Sequence, residues 1–140
     1  MGIVIETSSL TKQYGKKQVV KDLDLKVPGG SIYGFLGPNG AGKSTTMKMI
    51  LGLAKPTSGT VTVLGKTVNS RNRLSILKDT GSLIESPSYY GHLSGRENLQ
   101  VICTLKQVPE GAIDEVLQTV RMEKQQNKKV GQYSLGMKQR

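Results

Sequence analysis

Residues Gly37-Pro38-Asn39-Gly40-Ala41-Gly42-Lys43-Ser44 fit the spacing G-x-x-x-x-G-K-[ST]. A β-prone run precedes them at residues 31–36, with Ile32, Tyr33, Phe35 and Leu36. A helix-forming stretch, KSTTMKMILGL, follows. Glycines at 37, 40 and 42 permit backbone angles that aim successive N–H groups inward, and they let a phosphate approach without a Cβ in the way. The loop ends at a helix N-terminus, whose free N–H groups and positive dipole end suit an anion. Lys43 adds a mobile point charge for the outer phosphates, and Ser44 offers a hydroxyl to a Mg²⁺ that bridges them. Four fixed positions coincide by chance at about one in 10⁴ starting points. The loop therefore predicts a bound nucleoside triphosphate with Mg²⁺ and an α/β fold around it.

Composition removes several other classes. The 140 residues are enough for about one domain. The balance of 36% hydrophobic to 21% charged residues is that of a globular chain, not of a disordered polyelectrolyte. A formal charge of +10 favours anionic partners: nucleotide phosphate, nucleic acid or an acidic membrane surface. No aromatic RNA-binding motif accompanies it, so no specific nucleic acid is expected. The best apolar run, residues 47–54, falls short of the roughly 18 needed to span a bilayer and is broken by Lys48. The N-terminus lacks a charged region followed by an apolar one, so no secretory signal is read there. Met1-Gly2 opens like a myristoylation site, but Glu6 stands where Ser or Thr is required. The single cysteine, Cys103, excludes an internal disulfide framework; it is read as a small buried apolar residue in a cytosolic chain.

Along the chain, residues 3–5 are β-prone and residues 19–27 alternate as a strand. Pro28-Gly29-Gly30 is a turn. In the helix after the loop, Met47, Ile50 and Leu51 stand at helical spacing, and Lys55-Pro56-Thr57-Ser58-Gly59 ends it. Residues 60–64 form a second alternating strand, 73–78 a short helix, and 82–84 a short buried strand. Ser94-Gly95-Arg96-Glu97 reads as a capping box that opens a helix running to about Val108. Pro109 opens the next, with Ile113, Val116, Leu117 and Val120 as its apolar stripe.

Leu36 to Thr45 resembles the Walker A sequence of ABC-transporter ATPases. Tyr14, 29 residues before Lys43, resembles the aromatic that stacks on adenine in that family. Tyr133-Ser134-Leu135-Gly136-Met137-Lys138-Gln139-Arg140 resembles the ABC signature. Ser134 and Gly136 match its commonest wording, and Leu135 and Met137 depart from it. Ser134 would cap a helix that starts there and aims its N–H groups at phosphate. At Glu85, within Gly81-Ser82-Leu83-Ile84-Glu85-Ser86-Pro87, most of the family carries a glutamine that touches Mg²⁺ and the attacking water. A carboxylate also binds Mg²⁺, but it adds negative charge beside the γ-phosphate. The glutamate and the stretch from Pro87 to Leu99 resemble ATPase subunits of lantibiotic self-immunity and bacitracin-resistance exporters. His92, the only histidine, lies before the signature and is read as a loop residue rather than as the family's switch histidine.

The resemblance implies an ABC-type P-loop NTPase fold: N-terminal antiparallel strands and part of a parallel sheet, then a helical subdomain. It places an ATP-binding core at 1–88 and the helical part, ending in the signature, at 89–140. Nucleotide-binding residues would be Tyr14, Gly37, Asn39, Gly40, Ala41, Gly42, Lys43, Ser44 and Thr45. Lys43 and Glu85 would be catalytic, and Ser44 and Glu85 would meet Mg²⁺. Ser134, Leu135, Gly136 and Met137 would face ATP held by a second ABC ATPase domain. The implied function is ATP-driven export of an antimicrobial peptide, with the subunit held at the inner face of the membrane by permease subunits. A soluble ABC-type ATPase acting on ribosomes or DNA, and a non-hydrolysing nucleotide-binding module, are the alternatives. The family's Walker B strand with its catalytic Glu, its D-loop and its switch His are absent from these 140 residues. The expectation is a portion of a longer subunit that alone binds nucleotide weakly and hydrolyses almost none.

Overall fold

The computed structural model describes residues 2–140. Two long strands open the chain, β1 (Ile3–Tyr14) and β2 (Lys17–Pro28), joined by a two-residue turn with Gly15 at φ +57°. The register of the hairpin shifts at four places, and the two in its middle offset each other. Two residues of β2 separate Leu23 from Leu25 while three of β1 separate Thr7 from Leu10, and the excess reverses between Leu10/Leu23 and Lys12/Val20. The extra residues, Ser9 (φ +47°) and Asp22 (φ +43°), take up the strain in the left-handed region. Side chains repair the interrupted ladder. Thr7 Oγ1 donates to the Leu23 carbonyl (2.7 Å) and accepts from the Leu25 amide (2.9 Å). The Ser9 amide donates to Asp24 Oδ1 (2.6 Å), and the Asp22 amide to Thr11 Oγ1 (3.0 Å). All buried side-chain polar atoms among the described residues are satisfied.

Helix α1 (Lys43–Ile50) follows the glycine loop, and β3 (Ser58–Val63) returns to pair with β1. A two-residue β4 (Lys66–Thr67) completes a sheet ordered β2-β1-β3-β4, antiparallel throughout. Helix α2 (Arg73–Lys78) lies over it. Leu10, Val20, Met49, Ile50, Val61, Val63 and Ile76 make one core between the sheet and these helices. Leu10 and Met49 are fully buried, each contributing about 1.5–3 kcal/mol of transfer free energy.

Two expectations are corrected here. Residues 31–36 and 82–84 are not strands, and no parallel pair forms among the described residues. Ile32 and Leu36 are almost wholly exposed, and Leu83 is exposed too. A strand exists only as one side of a ladder, and no described segment pairs with these two. On α1, Ile50 and Leu51 are buried as their spacing suggested, but Met47 is exposed and Met49 joins Ile50 in the core in its place.

The first compact unit ends at Ile84, and Glu85–Arg140 forms the second. The second contains α3 (Gly95–Lys106), α4 (Ala112–Thr119), two 3₁₀ turns (Glu123–Gln125 and Val130–Gln132) and α5 (Leu135–Gln139). The capping box forms as read: Ser94 Oγ accepts from the Glu97 amide, and Glu97 Oε2 accepts from the Ser94 amide at 2.7 Å. Those bonds hold the Glu97 carboxyl below its ordinary pKa. Cys103, Ile113, Leu117 and Met122 form this unit's core, with Leu99, Val120, Tyr133 and Met137 against it. Val116 of the expected α4 stripe is exposed. The segment 126–131 is laced onto 91–96 by main-chain bonds such as Arg96 N–H to Gln126 C=O (2.9 Å) and Val130 N–H to Leu93 C=O (2.9 Å). Arg96 also donates through Nε to Gln126 Oε1 (2.6 Å) and forms an ion pair with Asp114.

Candidate functional site

The glycine loop ends where α1 begins. Gly42 is the N-cap, at φ +89°, and it turns the chain so that the first amides of α1 face the loop. No side chain caps those amides, and the first turn carries no acidic residue. That leaves donors and the positive dipole end available to an anion. Thr46 secures the turn from within: its amide and its hydroxyl both donate to the Gly42 carbonyl, at 2.8 and 2.9 Å, and its side chain is buried. A Cβ at Gly42 would lie 2.3 Å from the Val19 carbonyl oxygen, so only glycine lets the loop rest on β2.

Lys43 bends back over the loop and donates to the carbonyls of Gly37 and Pro38, the latter at 2.8 Å. Its ammonium thus sits over the cradle. The loop closes on itself through Ala41 N–H to Pro38 C=O (3.2 Å). Ser44 follows in the first turn of α1, and Thr45 after it. Among the described residues no three His, Cys, Asp or Glu side chains converge as a metal site. Ser44 instead offers one hard oxygen, which suits an ion that takes most of its ligands from phosphate and water, as Mg²⁺ does.

Tyr14 ends β1 in the same unit, with 54% of its surface exposed. The end of β1 is fastened to the segment just beyond α1. Thr57 N–H donates to the Thr11 carbonyl (2.9 Å), Gln13 N–H donates to Thr57 Oγ1 (2.9 Å), and Lys12 Nζ donates to the Lys55 carbonyl (2.6 Å). The same ammonium stands 4.8 Å from the centre of the Tyr14 ring. Sequence reasoning passed over Lys12 and Thr46. Lys12 shares a strand face with Tyr14 at i and i+2, which was readable; its bond to Lys55, 43 positions away, was not.

The other candidates lie in the second unit. Glu85 opens it at φ +64°. Ser134 is the N-cap of α5, its Oγ accepting from the Met137 amide at 3.3 Å, as the sequence indicated. Leu135 is exposed, a Cβ at Gly136 would meet nothing, and Met137 packs on the core. Tyr133, just before the cap, donates its hydroxyl to the Gln125 carbonyl (2.7 Å), and partial burial raises its pKa. Lys138 of α5 stands 5.1 Å over the Tyr89 ring.

A family profile described as ABC transporter matches residues 20–140. The chain is 46% identical to the bacitracin transport ATP-binding protein BcrA of Bacillus licheniformis, over all of this chain and 46% of that protein. It is 38% identical to the lantibiotic transport ATP-binding protein SrtF of Streptococcus pyogenes, over 98% of this chain and 58% of that one. The chain thus spans about half the length of these relatives. A solved structure described as an ATP binding subunit of an ABC transporter superposes with a TM-score of 0.87 at 27% identity, covering 97% of this chain and 58% of the other.

Proposed function

The chain belongs to the ABC transporter ATP-binding domain family, and from that premise we propose that it is the nucleotide-binding part of a subunit that powers export of an antimicrobial peptide. The observation that carries the nucleotide reading is the cradle at the start of α1: uncapped amides, three loop glycines and the Lys43 ammonium drawn over the loop carbonyls. Lys43 exchanges those carbonyls for β- and γ-phosphate oxygens, which as charged acceptors form the stronger hydrogen bonds. The amides from Gly40 to Thr45 hold the phosphates. Ser44 turns its hydroxyl to Mg²⁺, which when bound offsets phosphate charge. Tyr14 lays its exposed ring on the adenine.

By the family resemblance, Glu85 would be the residue to supply a carboxylate oxygen to the ion and the attacking water. Residues 134–137 present the start of α5 to ATP held by a second ABC ATPase domain, so that two domains close over two nucleotides. The loop 85–93 passes that closure to permease subunits at the inner face of the membrane. No helix among the described residues is long and apolar enough to cross a membrane, which fits attachment through such partners. The peptide cargo is supported by the names of the relatives, bacitracin and lantibiotic transport proteins.

Calorimetric titration of the native chain with Mg·ATP tests the nucleotide reading. Binding heat is expected, and Lys43→Ala is expected to weaken affinity by about 10- to 100-fold, the worth of a charge-assisted hydrogen bond. The Lys43 bonds are confined to its own exposed loop, so the fold should survive the substitution. An unchanged affinity overturns the assignment. Loss of bacitracin or lantibiotic tolerance in cells carrying Lys43→Ala tests the cargo.

A further inference from the structure

We propose that Lys12 is a positioning residue for the nucleotide base: it sets the Tyr14 ring at a fixed distance from the phosphate cradle. The inference rests on the reading above that Tyr14 stacks on adenine. Lys12 and Tyr14 stand two apart on β1 and therefore on one face of the strand. The Lys12 ammonium lies 4.8 Å from the ring centre, within the reach of about 6 Å at which a cation is held by an aromatic face. It is not a free surface charge, because it also donates to the Lys55 carbonyl at 2.6 Å.

That carbonyl lies five residues beyond the helix that starts at the cradle. Beyond α1, Leu53 N–H and Ala54 N–H both return to the Lys48 carbonyl, at 2.7 and 3.1 Å, so the turn that ends the helix is fastened to it as far as Ala54, and Lys55 is the next residue. Thr57 then clips the next residues to Thr11 and Gln13. The N-terminus of α1 holds phosphate, and the turn beyond its C-terminus leads to Lys55, whose carbonyl holds Lys12, which holds the ring. A second tie runs from Gly42 to β2, the partner strand of β1. A stacking side chain more than half exposed would otherwise sample several rotamers, and ordering it on binding would cost affinity. An ammonium against one ring face preselects the rotamer that a purine needs.

The test compares ATP with inorganic tripolyphosphate, which fills the cradle but has no base, by calorimetry on the full native chain with Mg²⁺. Lys12→Gln is expected to weaken ATP by about 2- to 5-fold and to leave tripolyphosphate unchanged, and Lys12→Arg to restore ATP, since a guanidinium keeps both contacts. In a Tyr14→Ala background, Lys12→Gln should cost ATP nothing more. Equal losses for ATP and tripolyphosphate would show Lys12 to be a general attractor of anions and overturn the proposal. So would a Lys12→Gln that leaves ATP untouched while Tyr14→Ala weakens it, in which case the stacking assignment stands alone. If Tyr14→Ala leaves ATP unchanged, the stacking assignment itself falls and the proposal with it. Tripolyphosphate binding in every variant reports that the loop is still folded.

Discussion

The α-carbon of Gly42 lies so close to the Val19 carbonyl that a methyl group placed there would stand 2.3 Å from the oxygen. The glycine loop and the β1–β2 hairpin are therefore one packed object rather than a loop hung beside a sheet. The contact explains why this glycine is required for more than its φ of +89°. A left-handed φ alone costs an alanine about 1–2 kcal/mol. The carbonyl adds a clash that neither main chain can relieve without moving the hairpin or the helix start.

Gly42→Ala should accordingly lower the melting temperature of the chain more than Gly40→Ala does. Gly40 is also left-handed, at φ +82°, but a Cβ there meets nothing within 4 Å. The Gly40 variant is expected to lose about 1–2 kcal/mol, all of it backbone strain. The Gly42 variant is expected to exceed that by at least 1 kcal/mol, the lower end of the usual cost of overpacking. Thermal unfolding of the two variants side by side decides it; equal losses would mean that the hairpin yields freely.

The capping box predicts an acid-sensitive helix. The Glu97 carboxyl is held below its ordinary pKa chiefly by the Ser94 amide and next by the Ser94 hydroxyl. A group with a lowered folded pKa contributes stability that is present above the unfolded value and disappears as pH falls through the folded one. The second unit should therefore lose stability on acidification below the normal glutamate range. Glu97→Gln keeps an acceptor but cannot titrate, so its acid limb should be flatter. Helicity followed by circular dichroism between neutral and acid pH gives the comparison, and parallel curves would refute it.

Gly95 sits against the side chain that leads into the signature helix. A Cβ on it would meet the Tyr133 hydroxyl oxygen at 2.3 Å. Gly95→Ala should push that ring aside, break its bond to Gln125 and shift Ser134, the next residue. Because α3 keeps its cap and alanine is the better helix former, the helix itself should survive. The expected result is a stability loss of about 1–3 kcal/mol, together with weaker ATP-dependent dimerisation. Tyr133→Phe in the same background should recover part of the stability, and no recovery would place the strain elsewhere.

Much of this molecule is written locally. Ser94 with Glu97 three residues on, Ser134 before its short helix, the span of α2 and the glycine-lysine cradle all follow from groups within six residues of one another. Such short-range bonds are specified by nearby residues, even where, as at Gly42, the rest of the fold also presses on them. The likeness to ABC ATPases was legible for the same reason, since its motifs are compact strings. Elements that depend on a remote partner were not. Residues 31–36 and 82–84 have strand-like composition but no strand, because composition does not supply a ladder. Met49 rather than Met47 entered the core because the sheet, not the helix, chose the buried face. The bulges at Ser9 and Asp22 arise from fitting two twisted strands over one core. The sequence by itself determined the glycine-lysine loop and its place at the start of α1. Only the tertiary structure decided how far from it the Tyr14 ring is held, because that distance is set by contacts between Lys12 and Lys55 and between Gly42 and Val19, pairs that only folding brings together.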